Sequence, residues 1–156
     1  SEVSGYTPQI VLAGRRINDG MASWITQQII LMMAKKSKKI SGSKALILGL
    51  SFKENCPDVR NTKITDLKKE MQSYGIEVDI FDPVVCPLEA EKICGEKIIS
   101  ELPEKCKYEV MVAAVAHDEF KKISDKSLIN ILDHDGVVFD LKGILSEKFK
   151  DKIIRI

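Results

Sequence analysis

The chain has 156 residues, 44% hydrophobic and 30% charged, which suits one soluble domain with a core and an appendage. Its 24 basic and 23 acidic side chains leave a net charge of +1, so no global field attracts nucleic acid or an anionic membrane. No apolar run approaches the ~20 residues of a membrane span, and the opening SEVSGYTPQ lacks the basic-then-apolar order of a signal peptide.

Residues 1–9 read as a loop or the scar of a longer chain. A helix is then expected from about residue 9 to about residue 37, because Ile10, Ile17, Met21, Ile25, Ile29 and Met32 recur on one face. Trp24, Ile30, Leu31 and Met33 widen the stripe. Lysines crowd its end, where they suit the negative helix terminus, and Ser41-Gly42-Ser43 breaks it. At roughly 25 residues, or ~38 Å, such a helix exceeds one face of a small sheet. It reads as a linking helix that also packs against a second subunit, giving a homodimer.

Lys44 opens the next unit. Ala45 to Leu50 is an apolar run of buried-strand length, followed by the polar loop SFKENCPDVR. A helix begins near Thr62 as N-cap, with Asp66 in its first turn and Gly75 as its stop. IEVDIFDP is the second strand, and PLEAEKICG a short helix between Pro87 and Gly95. Lys97 to Ile99 is a candidate short strand. Tyr108 to Ala116 is the most apolar run and the expected central strand. A short helix is expected from His117, and a further one capped by Ser124 and stopped by Gly136. VVFDL and the terminal KIIRI complete the strands.

This alternation predicts an α/β fold: a Rossmann-like doubly wound, mainly parallel sheet, preceded by one long linking or dimerisation helix. The division is 1–43 for the loop and long helix and 44–156 for the sheet domain. Right-handed crossovers then gather the loops after the strands on one edge, where the ligand cleft is expected.

Lys53 and Lys142 each follow a predicted strand, on that same edge. Each can serve as a point charge for a phosphate or sugar oxygen, against the alternative of a solvated loop lysine. Phe52 offers an aromatic surface beside Lys53, and Gly143 allows close backbone approach beside Lys142. Arg60 lies next to a helix N-terminus, where a guanidinium calls for a compensating anion. That anion is either a ligand or a carboxylate of Asp58 or Glu54.

Cys56, Cys86, Cys94 and Cys106 are spaced by 30, 8 and 12 residues. The absence of C-x-x-C argues against zinc and against a redox pair. Four free thiols and no metal fit a cytoplasmic protein. Cys56, near a helix N-terminus, reads as a packed small residue. His117 at a strand end is given no catalytic role, and His134 reads as exposed. Arg15 reads as solvated charge.

The stretch GLSFKENCPDVRNT, with AGRRINDGM before it and VDIFDP and VVFDLKG after it, resembles the C-terminal, UDP-binding domain of the UDP-glucose/GDP-mannose dehydrogenase family. The ENCPD-R-NT form is most similar to enzymes acting on UDP-N-acetylhexosamines. The resemblance implies that Phe52, Lys53 and Lys142 contact the nucleotide sugar, and that Arg16 and Asn18 lie on the substrate side between domains. It implies that Arg60 reaches toward NAD held mainly by another domain. It also implies an NAD-dependent oxidation of a UDP-sugar C6 hydroxyl to a uronate for polysaccharide biosynthesis. The chain has no G-x-G-x-x-G and no G-G-x-C, so the NAD fingerprint and the family's cysteine nucleophile are expected ahead of it, and the chain alone is expected to be inactive. Two alternatives stay open: a stand-alone α/β nucleotide-binding module, and a dimerisation module without catalysis.

Overall fold

The computed structural model describes residues 20–104 and 107–145. Among them four parallel strands form one sheet in the order β2-β1-β3-β4: β1 (Lys44–Leu48), β2 (Glu77–Phe81), β3 (Tyr108–Ala113) and β4 (Leu132–Asp140). Each strand pair is parallel. β1 and β3 are central, as the apolar run from Tyr108 predicts. Residues Lys97 to Ile99 contribute one parallel bridge, Phe81 to Ile99, rather than a full strand.

The sheet is covered on both faces, and the strand pleat shows it. Ala45 and Ile47, Val110 and Val112, Val137 and Phe139 pack in one core with α1 (Met21–Lys35) and α2 (Ile64–Gln72). Their neighbours Leu46 and Leu48, Met111 and Val138 pack in a second core with Phe120 of α4 (Asp118–Lys121) and with Leu128 and Ile131 of α5 (Asp125–Ile131). A strand apolar at successive positions is what a sheet buried on two faces requires. The doubly wound architecture therefore stands.

α1 runs for 15 residues from Met21; the earlier part of the expected long helix, with Ile10 and Ile17, lies outside the described residues. Its stripe is re-centred. Ile25, Ile29 and Met33 are fully buried within this chain, whereas Met21 and Met32 are only half-buried. Strict i, i+4 spacing places Met33, not Met32, over the sheet. Trp24 and Leu31 remain exposed, although Trp24 sets its ring edge-on to Phe139 at 6.3 Å.

Two local expectations need correction. The segment after Pro87 is one short turn, α3 (Pro87–Glu89), continued by a π-helical turn from Ala90 to Cys94. Gly95 ends it in the left-handed region, as expected. Gly136 does not stop α5. Ser124 does cap it, accepting from the Ser127 N–H at 3.1 Å, but α5 ends at Ile131 and β4 begins at once. Leu132 pairs with Tyr108, and pairing resumes at Val137 with Val110, so Asp133 to Gly136 form an irregularity within an edge strand. Local glycine and aspartate signals read as a stop; pairing with β3 overrode them. The irregularity is held from the segment just after α1: Lys38 pairs with Asp133 at 2.8 Å, and Lys36 Nζ donates to the Asp135 and Gly136 carbonyls at 3.4 and 3.5 Å.

Among the described residues no helix is long and apolar enough to cross a membrane, and no group of three His, Cys, Asp or Glu side chains could hold a metal ion.

Candidate functional site

The chain leaves β1 through Gly49, whose φ of 112° suits glycine alone. A Cβ there would lie 2.5 Å from Val115 Cβ, in the loop leaving β3. The two central strands therefore end in direct backbone-level contact. Beyond that contact their loops part, and a cleft of about 720 Å³ opens at the carboxyl edge of the sheet. Its walls are the β1 loop from Ser51 to Asn55, the entry to α2 from Asn61 to Ile64, the β3 loop with Asp118 and Lys121, and Lys142 after β4.

Phe52, Lys53 and Lys142 thus line one cleft. Lys53 is exposed, Phe52 and Lys142 half-buried. Lys63 and Lys121 add cationic charge, and Glu54 and Asp118 oppose it; Asp118 lies 3.7 Å from Lys121. Lys53 has no ion-pair partner among the described residues, so its ammonium is free for a ligand. Thr62 ties the mouth together. It donates to the Leu50 carbonyl at 2.6 Å and accepts the Ile64 N–H at 3.2 Å; the N-cap of α2 is Lys63 rather than the expected Thr62, which stands one residue earlier and braces the entry to the helix.

Arg60 is outside the cleft lining. Its side chain is 72% exposed and pairs with Asp58 at 3.1 Å. The hydrogen bonds from Arg60 hold the Asp58 carboxyl below the usual carboxylate range. The compensating anion at this helix entry is therefore Asp58, and Arg60 remains on the rim with solvent-exposed guanidinium area. Arg16 and Asn18 lie outside the described residues. Cys56 is half-buried rather than packed away. Burial, followed by the charge of Glu96, pushes the Cys94 thiol up, away from thiolate chemistry.

Three residues that the sequence left without a role build the frame of the site. Asp82, just past β2, is fully buried and accepts from the N–H groups of Leu50 and Ser51 at 2.7 and 3.0 Å. It also accepts from Val84 and Val85. Asp140 ends β4, fully buried, and accepts from the N–H groups of Lys142, Gly143, Ile144 and Leu145 at 2.8–3.3 Å. Both aspartates follow a phenylalanine at a strand end, in IFDP and VFDLKG, which is the one sequence signal that marked them.

The third is His117, which is fully buried. Its Nε2 lies 3.0 Å from Asp82 Oδ2 and 3.1 Å from Ser51 Oγ, and its Nδ1 accepts the Asn55 N–H at 2.9 Å. A backbone N–H can only donate, so the ring proton resides on Nε2. Serine, histidine and aspartate are all present, yet Ser51 and Asp82 share one ring nitrogen. No proton path runs from serine through the ring to aspartate, and the constellation is not a hydrolytic triad.

A sheet wound on both faces, with a cationic cleft at the carboxyl ends of its strands, defines a ligand-binding α/β domain of the doubly wound class. Residues 46–147 match the UDP-glucose/GDP-mannose dehydrogenase family, UDP binding domain, and the chain belongs to that family. It is similar to a UDP-N-acetyl-D-glucosamine 6-dehydrogenase of Pseudomonas aeruginosa, 40% identical over 94% of this chain and 35% of that protein. It is also similar to one of Salmonella typhi, 41% identical over 97% of this chain and 35% of that protein. Among solved structures, an NDP-N-acetyl-D-galactosaminuronic acid dehydrogenase from Methanosarcina mazei Go1 aligns with a TM-score of 0.72. That alignment covers 87% of this chain and 28% of the other, at 22% identity; the likeness is one of fold. The chain spans about a third of the length of the curated relatives it matches.

Among the described residues, the turn after β1 does not fit a primary dinucleotide site. The turn after β1 carries one glycine, and Val115 fills the space against it, so there is no open glycine cradle for a pyrophosphate.

Proposed function

We propose that the cleft binds the uridine diphosphate portion of a UDP-sugar, and that the chain serves as the UDP-binding part of an NAD-dependent UDP-sugar 6-dehydrogenase. The observation that carries the reading is the convergence of Phe52, Lys53 and Lys142 on one cleft at the carboxyl edge, in a chain of this family. Lys53 supplies a compact positive charge for a phosphate oxygen, Lys142 a second from the loop after β4, and Phe52 an apolar surface. Arg16 and Asn18 belong to the substrate side. NAD is held mainly by residues outside this chain, and Arg60, exposed on the rim, faces it. The substrate is a UDP-N-acetylhexosamine, whose C6 hydroxyl becomes a carboxylate for polysaccharide biosynthesis. The longer protein is cytoplasmic and works as a homodimer through α1, with Trp24 and Leu31, both exposed in this chain, on the shared face.

Titration of UDP into the chain, followed by calorimetry and melting temperature, tests the reading. UDP raises the melting temperature of the wild type. Lys53→Ala removes a charge-assisted contact of ~1.5–3 kcal/mol and weakens affinity by about one to two orders of magnitude. Equal UDP affinity in wild type and Lys53→Ala would falsify the assignment.

A further inference from the structure

We propose that His117 is the positioning residue of the cleft: it clamps the loop Ser51–Asn55, and so fixes Phe52 and Lys53 in the conformation that receives the nucleotide. The inference rests on the UDP reading of the cleft and adds to it a residue that never touches the ligand, since His117 is absent from the lining.

The clamp grips both ends of the loop. At the first end, Ser51 Oγ lies 3.1 Å from His117 Nε2 and itself donates to the Lys53 carbonyl at 3.0 Å. At the other end, the Asn55 N–H donates to Nδ1 at 2.9 Å. The residue after the histidine completes the grip, because the Asp118 N–H donates to Asn55 Oδ1 at 2.9 Å. Asn55 adopts the left-handed region, φ 58°, that asparagine tolerates better than other side chains. Between these anchors Phe52 donates its N–H across the loop to the Asp58 carbonyl at 2.8 Å, and Lys53 and Glu54 are exposed. The ring is itself held on two sides. Asp82 holds Nε2 at 3.0 Å, and Phe120 packs at 5.3 Å between centroids. An exposed lysine on an unanchored loop would lose ordering entropy on binding; a pre-ordered loop has already lost it on folding.

The two ring nitrogens do different work, and two substitutions separate them. His117→Asn sets Oδ1 near the position of Nδ1 and can still accept from Asn55, but it no longer reaches Asp82. His117→Gln reaches toward Asp82 but leaves the Asn55 N–H without its acceptor. Both lower the melting temperature. UDP calorimetry and amide hydrogen exchange over residues 51–55 then discriminate. His117→Asn is expected to bind UDP within about threefold of wild type. His117→Gln is expected to bind about tenfold more weakly, with faster exchange at Asn55, the size of one lost hydrogen bond. Wild-type affinity and wild-type exchange over residues 51–55 in both variants overturn the proposal. If either variant fails to fold, Asn55→Gly replaces it. That exposed position keeps its backbone conformation and loses the Asp118 tie together with one side chain of the cleft lining, so faster exchange at Lys53 supports the clamp, and unchanged exchange refutes it. A wild-type chain that gives no heat with UDP removes the nucleotide reading instead. Exchange at Asn55 in His117→Gln against His117→Asn still judges the clamp in that case.

Discussion

The two lysines Lys53 and Lys142 that line the cleft are held in opposite ways. The loop of Lys53 is secured by groups distant in sequence: Asp82, 31 and 32 residues from the N–H groups it accepts, and His117, 62 and 66 residues from Asn55 and Ser51. The loop of Lys142 is secured by Asp140, which stands two to five residues before the four N–H groups it accepts. One prong exists only once β1, β2 and β3 lie side by side. The other is a local turn whose aspartate is in the same strand end. The difference teaches that a single ligand edge can combine a part assembled by the sheet with a part preformed by its own sequence.

The largest effect is expected at Asp82. Replacing it with alanine removes the acceptor of the N–H groups of Leu50, Ser51, Val84 and Val85 and the carboxylate partner of His117 Nε2, a loss of about 3–5 kcal/mol by analogy with other broken buried networks. Urea unfolding measures it, and the whole Lys53 prong is expected to fail with it. The same residue carries a pH signature. Burial opposes its charge, but His117 and the backbone N–H groups of Leu50 and Ser51 outweigh it and hold the carboxyl below the usual range. A depressed folded pKa contributes stability that is complete above the unfolded value of ~3.9 and is lost as pH falls through the lower folded one. Asp82→Asn should therefore flatten the acid limb of the stability profile below about pH 4. An unchanged limb would show that the folded state does not hold the Asp82 carboxyl below its unfolded range.

A smaller loss follows at Asp140. Alanine there leaves four N–H groups unpaired, but water reaches most of that loop, so about 2–3 kcal/mol is expected. Amide exchange should accelerate over residues 141–145 and stay unchanged over residues 51–55. Acceleration in both loops would break the distinction between the prongs. The smallest effect is expected at the opposite edge of the sheet. Lys38→Ala breaks its pair with Asp133, whose carboxylate is 37% exposed; a solvent-screened pair of this kind is worth under ~1 kcal/mol. UDP affinity should be unchanged, because the contact braces the β4 irregularity and not the cleft.

The framework of this protein was legible before any coordinate. Apolar runs of strand length between helical stripes specified a parallel sheet covered on both faces. The right-handed crossover rule then sent Lys53 and Lys142 to the same edge. The Ser124 cap, the left-handed Gly95 and the turn after VVFDL are set by hydrogen bonds a few residues long, and their residue types announce them. Gly136 shows the limit of such signals. Its DHDG context reads locally as a helix stop, yet strand pairing to Tyr108 placed it inside β4.

Sequence alone therefore determined the layers of the fold, the edge on which the cleft opens and the family resemblance of its loop. Tertiary structure alone decided that a histidine without an evident role, an aspartate after β2 and a serine after β1 meet in one buried network. The physical reason is range. Periodicity and capping act over a few residues and leave their mark on the residue order. A buried polar group is tolerated only where partners arrive from other strands, and here their identity is settled by which strands lie together.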